Sequence, residues 1–239
     1  IGEHTITAEY IPADGSSYRG STSGALTFTV VGDVVSIRVQ TQPTTMTYTT
    51  GQALDLSGLV ITVTYEGGAS TTVTWGEGSG ITSDPENGTE LSTSQHNGKA
   101  VTITYEDQSA QTRALSVSKA NQTGFAFTEE SPKTVTYGEG TFTVEAEGGP
   151  GTGDVTYEVT EGTDIISISD NTVTILKAGE ATITATKAED GDYNEATATL
   201  TVTVNPASQT GFAFTESSIT KTYGEGTFTV EAEGGPGTG

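Results

Sequence analysis

Cysteine is absent from the 239 residues, so no disulfide staples this chain and no thiolate is available as nucleophile or metal ligand. Only two histidines occur, His4 and His96, far apart in sequence, and without cysteine they leave no ordinary ligand set for zinc. Basic side chains are also few: 9 Lys and Arg stand against 31 Asp and Glu, for a formal net charge of −22. A surface of that sign repels phosphate backbones and anionic headgroups, so neither nucleic acid nor a membrane surface is an expected partner. No stretch approaches the roughly 18 consecutive apolar residues of a membrane-spanning helix, so no insertion is expected from this segment. Strong helix formers are scarce. What remains is rich in Thr, Val, Ile and Gly, the composition of pleated strands joined by tight turns.

Repetition organises the chain. QTGFAFT at 122–128 recurs at 209–215, and YGEGTFTVEAEGGPGTG at 137–153 recurs unchanged at 223–239, a period of about 86 residues. That period is the length of one β-sandwich domain, and a repeated block of this size is read as one structural unit. Within one full period, seven short strands are predicted: 125–127, 141–147, 155–159, 165–169, 172–176, 181–187 and 196–204. Apolar residues recur at every second position, as in Phe142 and Val144, Ile183 and Ala185, and Leu200, Val202 and Val204. Side chains alternate across a strand, so these should face a core while the intervening threonines face water. The stretches 147–154 and 190–192 carry the Gly, Pro and Asp of turns.

The rest of the chain falls into place around that unit. GEATITATKAEDGDYNEATATLTVTV at 179–204 aligns with GEHTITAEYIPADGSSYRGSTSGALTFTV at 2–30, with Gly2, Ile6, Ala8 and Tyr18 standing where Gly179, Ile183, Ala185 and Tyr193 stand. Residues 1–32 therefore read as the closing part of a sandwich, and 206–239 as the opening part of another copy of the repeat. Each would be poorly stable alone, because it lacks the strands it packs against. Between them lie a complete sandwich at 33–118, with strands at 35–39, 60–65, 71–75, 100–105 and 113–117, and the complete repeat at 119–205. The joints at Gly32, Lys119 and Asn205–Pro206 are short, which predicts an elongated chain of sandwiches with limited bending.

In the 33–118 block, Pro43, Tyr48 and Gly51 followed by LDLSGLVITVTYEGG at 54–68 resemble the bacterial Ig-like domain families of surface proteins. The 119–205 unit, with its YGEGTFT opening and GEATITATKAEDGDYNEAT closing, is similar to another type of that group. The resemblance implies an all-β fold of tandem immunoglobulin-like sandwiches, Greek-key and antiparallel. It also implies an extracellular place, on a bacterial cell surface or secreted. The shared positions are core and turn residues, so no catalytic or binding residue carries over.

Candidates for chemistry are correspondingly few. GSTSG at 20–24 has Thr22 at its centre and lacks the strand–turn–helix context of a nucleophile elbow. GGPGTG at 148–153 lacks the Lys and the following helix of a phosphate loop, and reads as a turn between strands. The acidic turn AEDGDYNE at 188–195 gathers Asp190, Asp192 and Glu195, with Glu189, and oxygen-rich turns suit calcium, although the spacing is not that of an EF-hand. The plain alternative is a solvated turn with Tyr193 packed inward. Glu129 and Glu130 near a joint form a weaker acidic candidate. Trp75, the single tryptophan, ends an alternating strand, and with Tyr65 or Tyr105 it could offer a stacking platform to a sugar, against the alternative of rim packing.

No catalytic residue and no cofactor is expected, apart from calcium at the acidic turn. The expected role is a non-catalytic stalk or spacer whose partners are the neighbouring Ig-like domains of the same chain. Two rivals stay open: an adhesive module gripping a glycan or host surface protein through its loops, and an accessory region of an extracellular polysaccharide-degrading enzyme.

Overall fold

The structure is a computed structural model and describes residues 2–237. It is almost entirely β, and by its contacts it divides into two units. Of the described residues, the first takes those up to Ala120 with Gly191–Asn194, and the second takes Asn121–Asp190 and those from Glu195 to Gly237.

In the first unit, residues 33–118 form a sandwich. One sheet places Val60–Tyr65 between Val34–Thr41 and Ser70–Thr74, and the facing sheet places Ala100–Tyr105 between Gln108–Ala114 and Ile81–Asp84. The alternation read from the sequence holds here: Ile61 and Val63 on one central strand and Val101 and Ile103 on the other are fully buried, and they meet Leu54, Leu56, Leu59 and Leu91 from the loops. Tyr48 is buried at the rim, donating its hydroxyl to the carbonyls of Thr45 and Asp55 and accepting the Asp55 N–H at 3.2 Å. This one hydroxyl ties the loops before and after Thr47–Thr49 together. The strands Thr47–Thr49 and Ile81–Asp84 were not among those expected, nor was the helical turn Thr93–His96. His96 closes this helical turn and accepts the Ser92 N–H on Nδ1 at 2.9 Å.

The second unit contains the repeat. A four-stranded sheet runs Lys133–Thr136, Ala196–Asn205, Gly179–Lys187, Val155–Glu161, and faces a three-stranded one of Thr141–Thr143, Thr172–Ile175 and Ile166–Ser169. The chain passes back and forth between the sheets, as an immunoglobulin-like sandwich requires. Val144, Ile183, Ala185, Leu200, Val202 and Val204 are buried, with Phe142 packed against the same core. A two-residue turn joins Ser169 to Thr172, and Asp170 takes a left-handed φ of 51° there, a conformation its short polar side chain tolerates.

Antiparallel pairing is not universal. Lys133–Thr136 runs parallel to Ala196–Asn205, and Thr47–Thr49 runs parallel to Ser116–Ser118. In both sandwiches an early strand pairs in parallel with the last one and covers its edge. Lys133–Thr136 escaped sequence reading because only Val135 among its four residues is apolar, too little to show a period.

The flanking blocks reproduce parts of the repeat, register included. Gly2–Ile6 pairs with Leu26–Val30 so that Gly2 faces Val30 and Ile6 faces Leu26, as Gly179 faces Val204 and Ile183 faces Leu200. Ala213–Phe214 pairs with Ala232–Glu233 as Ala126–Phe127 pairs with Ala146–Glu147. Their apolar residues, however, are exposed: Ile6, Leu26, Phe28 and Val30 in one, Phe214, Phe228 and Val230 in the other.

Candidate functional site

The closing hairpin Gly179–Lys187/Ala196–Asn205 projects the acidic turn from one end of the repeat, where GGPGTG also lies as the link between Ala146–Glu147 and Val155–Glu161. The two are fastened together. The Asp190 carboxylate accepts the Thr152 N–H at 2.7 Å and its hydroxyl at 3.1 Å. Lys187 Nζ donates to the carbonyls of Gly148 and Gly149, both at 2.9 Å. Gln122, buried, accepts the Gly151 N–H on Oε1 and donates from Nε2 to the Ala188 carbonyl, each at 3.2 Å. Glycine is needed at this link, since a Cβ on Gly151 would run into the Gln122 side chain and one on Gly153 into the Ala188 carbonyl. Gln122, Thr152 and Lys187 were not singled out from sequence. The recurrence of Gln122 as Gln209 was the available signal, and it is a signal of structure.

Asp192 belongs by its contacts to the first unit. Its carboxylate accepts the Ser94 N–H at 2.8 Å and the Ser94 hydroxyl at 2.9 Å, and its carbonyl accepts the Ala120 N–H. Glu195 is exposed. Asp190, Asp192 and Glu195 are thus not brought together: two carboxylates are turned to different donors and the third faces water. Among the described residues no three His, Cys, Asp or Glu side chains are grouped so as to hold a metal ion. In the weaker acidic pair, Glu129 accepts the Glu145 N–H at 3.4 Å while Glu130 is exposed.

Trp75 is half-buried against the core of the 33–118 sandwich, and its backbone N–H donates to the Leu59 carbonyl at 2.9 Å. That places it past one end of the strand Val60–Tyr65, whereas Tyr65 stands at the other end, bonded to Ala69. No platform joins the two. Tyr65 and Tyr105 do interact: burial first, then the neighbouring Tyr105 and Glu106, hold the Tyr65 hydroxyl above its ordinary pKa. The histidines lie in separate elements, His4 stacked on Phe28 with centroids 5.6 Å apart and His96 bonded to Ser92. Thr22, at the centre of GSTSG, sits in the two-residue strand Ser21–Thr22.

The arrangement defines a class: tandem immunoglobulin-like sandwiches whose polar residues fasten turns. Residues 41–117, about a third of the chain, match the family described as bacterial Ig-like domain (group 3). A comparison with curated proteins finds no match. Among solved structures the chain is similar to surface layer protein SbsC domains 1–6, at 14% identity and a TM-score of 0.30, covering 89% of this chain and 36% of that one. It is similar to Drosophila N-cadherin EC1-3 at 13% identity and a TM-score of 0.30, covering 72% and 68%. It is also similar to BT4661 of Bacteroides thetaiotaomicron, a SusE-like surface located polysaccharide binding protein, at 13% identity and a TM-score of 0.28, covering 88% and 34%. The chain thus spans about a third of the length of the SbsC and BT4661 chains, and nothing about ligand or partner follows from these similarities.

Proposed function

We propose that this chain is a non-catalytic spacer: a series of Ig-like sandwiches that holds other parts of an extracellular bacterial protein apart. One observation carries the reading. The 17-residue block repeated without change contributes core, strand and turn residues, and its polar neighbours Gln122, Lys187 and Asp190 are used to fasten its own turn. Selection for a ligand site would keep exposed side chains at one position, whereas a length-setting module is served by copying the whole fold. The matching register of 2–30 and 206–237 with parts of the repeat supports reading these blocks as portions of further sandwiches of the same type. The bacterial Ig-like match over 41–117 supports the extracellular placement. The acidic faces, at a net charge of −22, discourage edge-to-edge association of so many strands.

The test is a binding screen of the full chain against a glycan array and extracellular-matrix proteins, with calcium and with chelator. Silence in both conditions is the expected outcome. A saturable hit lost on Trp75→Ala would overturn the spacer reading in favour of an adhesive module. A hit lost in chelator and on Asp192→Ala would do so in favour of a calcium-dependent one.

A further inference from the structure

We propose that each copy of the repeat carries a seat at one end and a plug at the other, so that copies couple head to tail through a dedicated apolar joint. The inference rests on the spacer reading and supplies its coupling device. All residues involved belong to the second unit.

The seat is built where the strands of the repeat finish. Tyr137 follows Lys133–Thr136 and donates its N–H to the Asn205 carbonyl, which fixes it beside the point where the chain leaves the sandwich. Leu176, Lys177 and Ala178 form the turn between Thr172–Ile175 and Gly179–Lys187, and Leu176 and Lys177 both donate to the Ile165 carbonyl. Tyr137 and Leu176 remain 49% and 46% exposed, large apolar groups left out of the core against which Val135 and Ile175 pack. Facing them across a cavity of about 320 Å³ are Pro206, Ala207, Gln209, Pro236 and Gly237 of the following copy.

Both halves recur. Tyr137 and the GGPGTG turn lie in the block repeated without change, so each copy presents the same tyrosine at one end and the same proline turn at the other. Pro236 corresponds to Pro150, Ala207 to Ala120 and Gln209 to Gln122. One position of the plug differs: Pro206 follows a like copy, whereas its counterpart Lys119 follows the other type of sandwich. Proline fits the role because its ring is apolar and its φ is already fixed, so less freedom is lost on docking. Tyr223 occupies the place of Tyr137 in the next block and is exposed.

The absence of cysteine makes a clean test possible. Ser167→Cys and Thr227→Cys, both at exposed positions, introduce one spin label on the repeat and one on the following block of the full chain. Pulsed electron–electron resonance should give a single narrow distance distribution. Leu176→Ser and, independently, Tyr137→Ser should abolish that peak in favour of a broad distribution, while Tyr223→Ser leaves it unchanged. Circular dichroism melting of each variant confirms that the sandwich is intact. A broad distribution in the unsubstituted chain, or a narrow one in both seat variants, overturns the joint. Either result leaves the spacer reading standing, because that reading is judged by ligand binding.

Discussion

Leu200→Ala is the substitution that most directly tests how the repeat is held together. Leu200 is 0% exposed and faces Ile183 across the closing hairpin, with Val202 and Val204 following it on the same face. Truncation removes three carbon atoms from a site walled by strands of both sheets, which cannot close on the gap. Losses at such positions run about 2.7–5 kcal/mol. A sandwich of this length has a total stability on the order of 4–13 kcal/mol, so the change takes away a large share of it. At roughly 4–8 °C per kcal/mol for a domain of this size, the melting midpoint should fall by at least about 10 °C. Two signals separate the sandwiches. Trp75 is the single tryptophan and lies in the 33–118 sandwich, so its fluorescence follows that unit, whereas circular dichroism follows both. The expected result is a lowered transition by dichroism with the Trp75 transition in place. Thr199, the exposed neighbour on the same strand, is the control, and Thr199→Ala should change stability by less than about 0.5 kcal/mol. If Thr199→Ala costs as much as Leu200→Ala, or neither costs anything, the inward face has been assigned wrongly and the sandwich reasoning fails.

Tyr48→Phe keeps the ring but leaves the Asp55 N–H without its acceptor, and should cost about 1–3 kcal/mol in a urea titration followed by Trp75 fluorescence. Gln122→Leu should release the Gly151 N–H and the Ala188 carbonyl together. The amide of Gly151 should then exchange with deuterium faster, and a rate equal to that of the unsubstituted chain would show that Gln122 does not fasten the turn. Tyr65 should titrate above the ordinary phenol value of about 10 in an ultraviolet absorbance titration. Its raised folded-state pKa means that the uncharged hydroxyl is favoured in the fold. The stability it contributes is therefore complete below the unfolded-state value of about 10 and is lost as pH rises through the folded pKa. Glu106→Gln should lower the titration midpoint of Tyr65, and no movement would count against the electrostatic cause.

Much of this protein was legible without coordinates because its strands are short and alternate cleanly. Val144, Ile183, Leu200 and Val202 announce an inward face by period alone, and side-chain direction in a strand is fixed by backbone geometry rather than by distant contacts. Repetition gave the unit length for the same reason: identical residues make identical local choices, down to the register of Gly2 against Val30 and Gly179 against Val204. The elements that were missed have too few apolar residues to carry a period. Lys133–Thr136 and Thr47–Thr49 exist because the edge of a last strand was open to them, and a parallel pairing between residues some 70 positions apart leaves no local mark. The acidic turn shows the same division. Composition placed Asp190, Asp192 and Glu195 within six residues of one another, yet the fold turned Asp190 to Thr152 and Asp192 to Ser94. A carboxylate takes the nearest well-placed donor, and where those donors stand is decided by loops distant in sequence. Sequence determined the strands, their faces and the repeat. Tertiary structure alone decided which polar groups met, because hydrogen-bond partners are chosen across space.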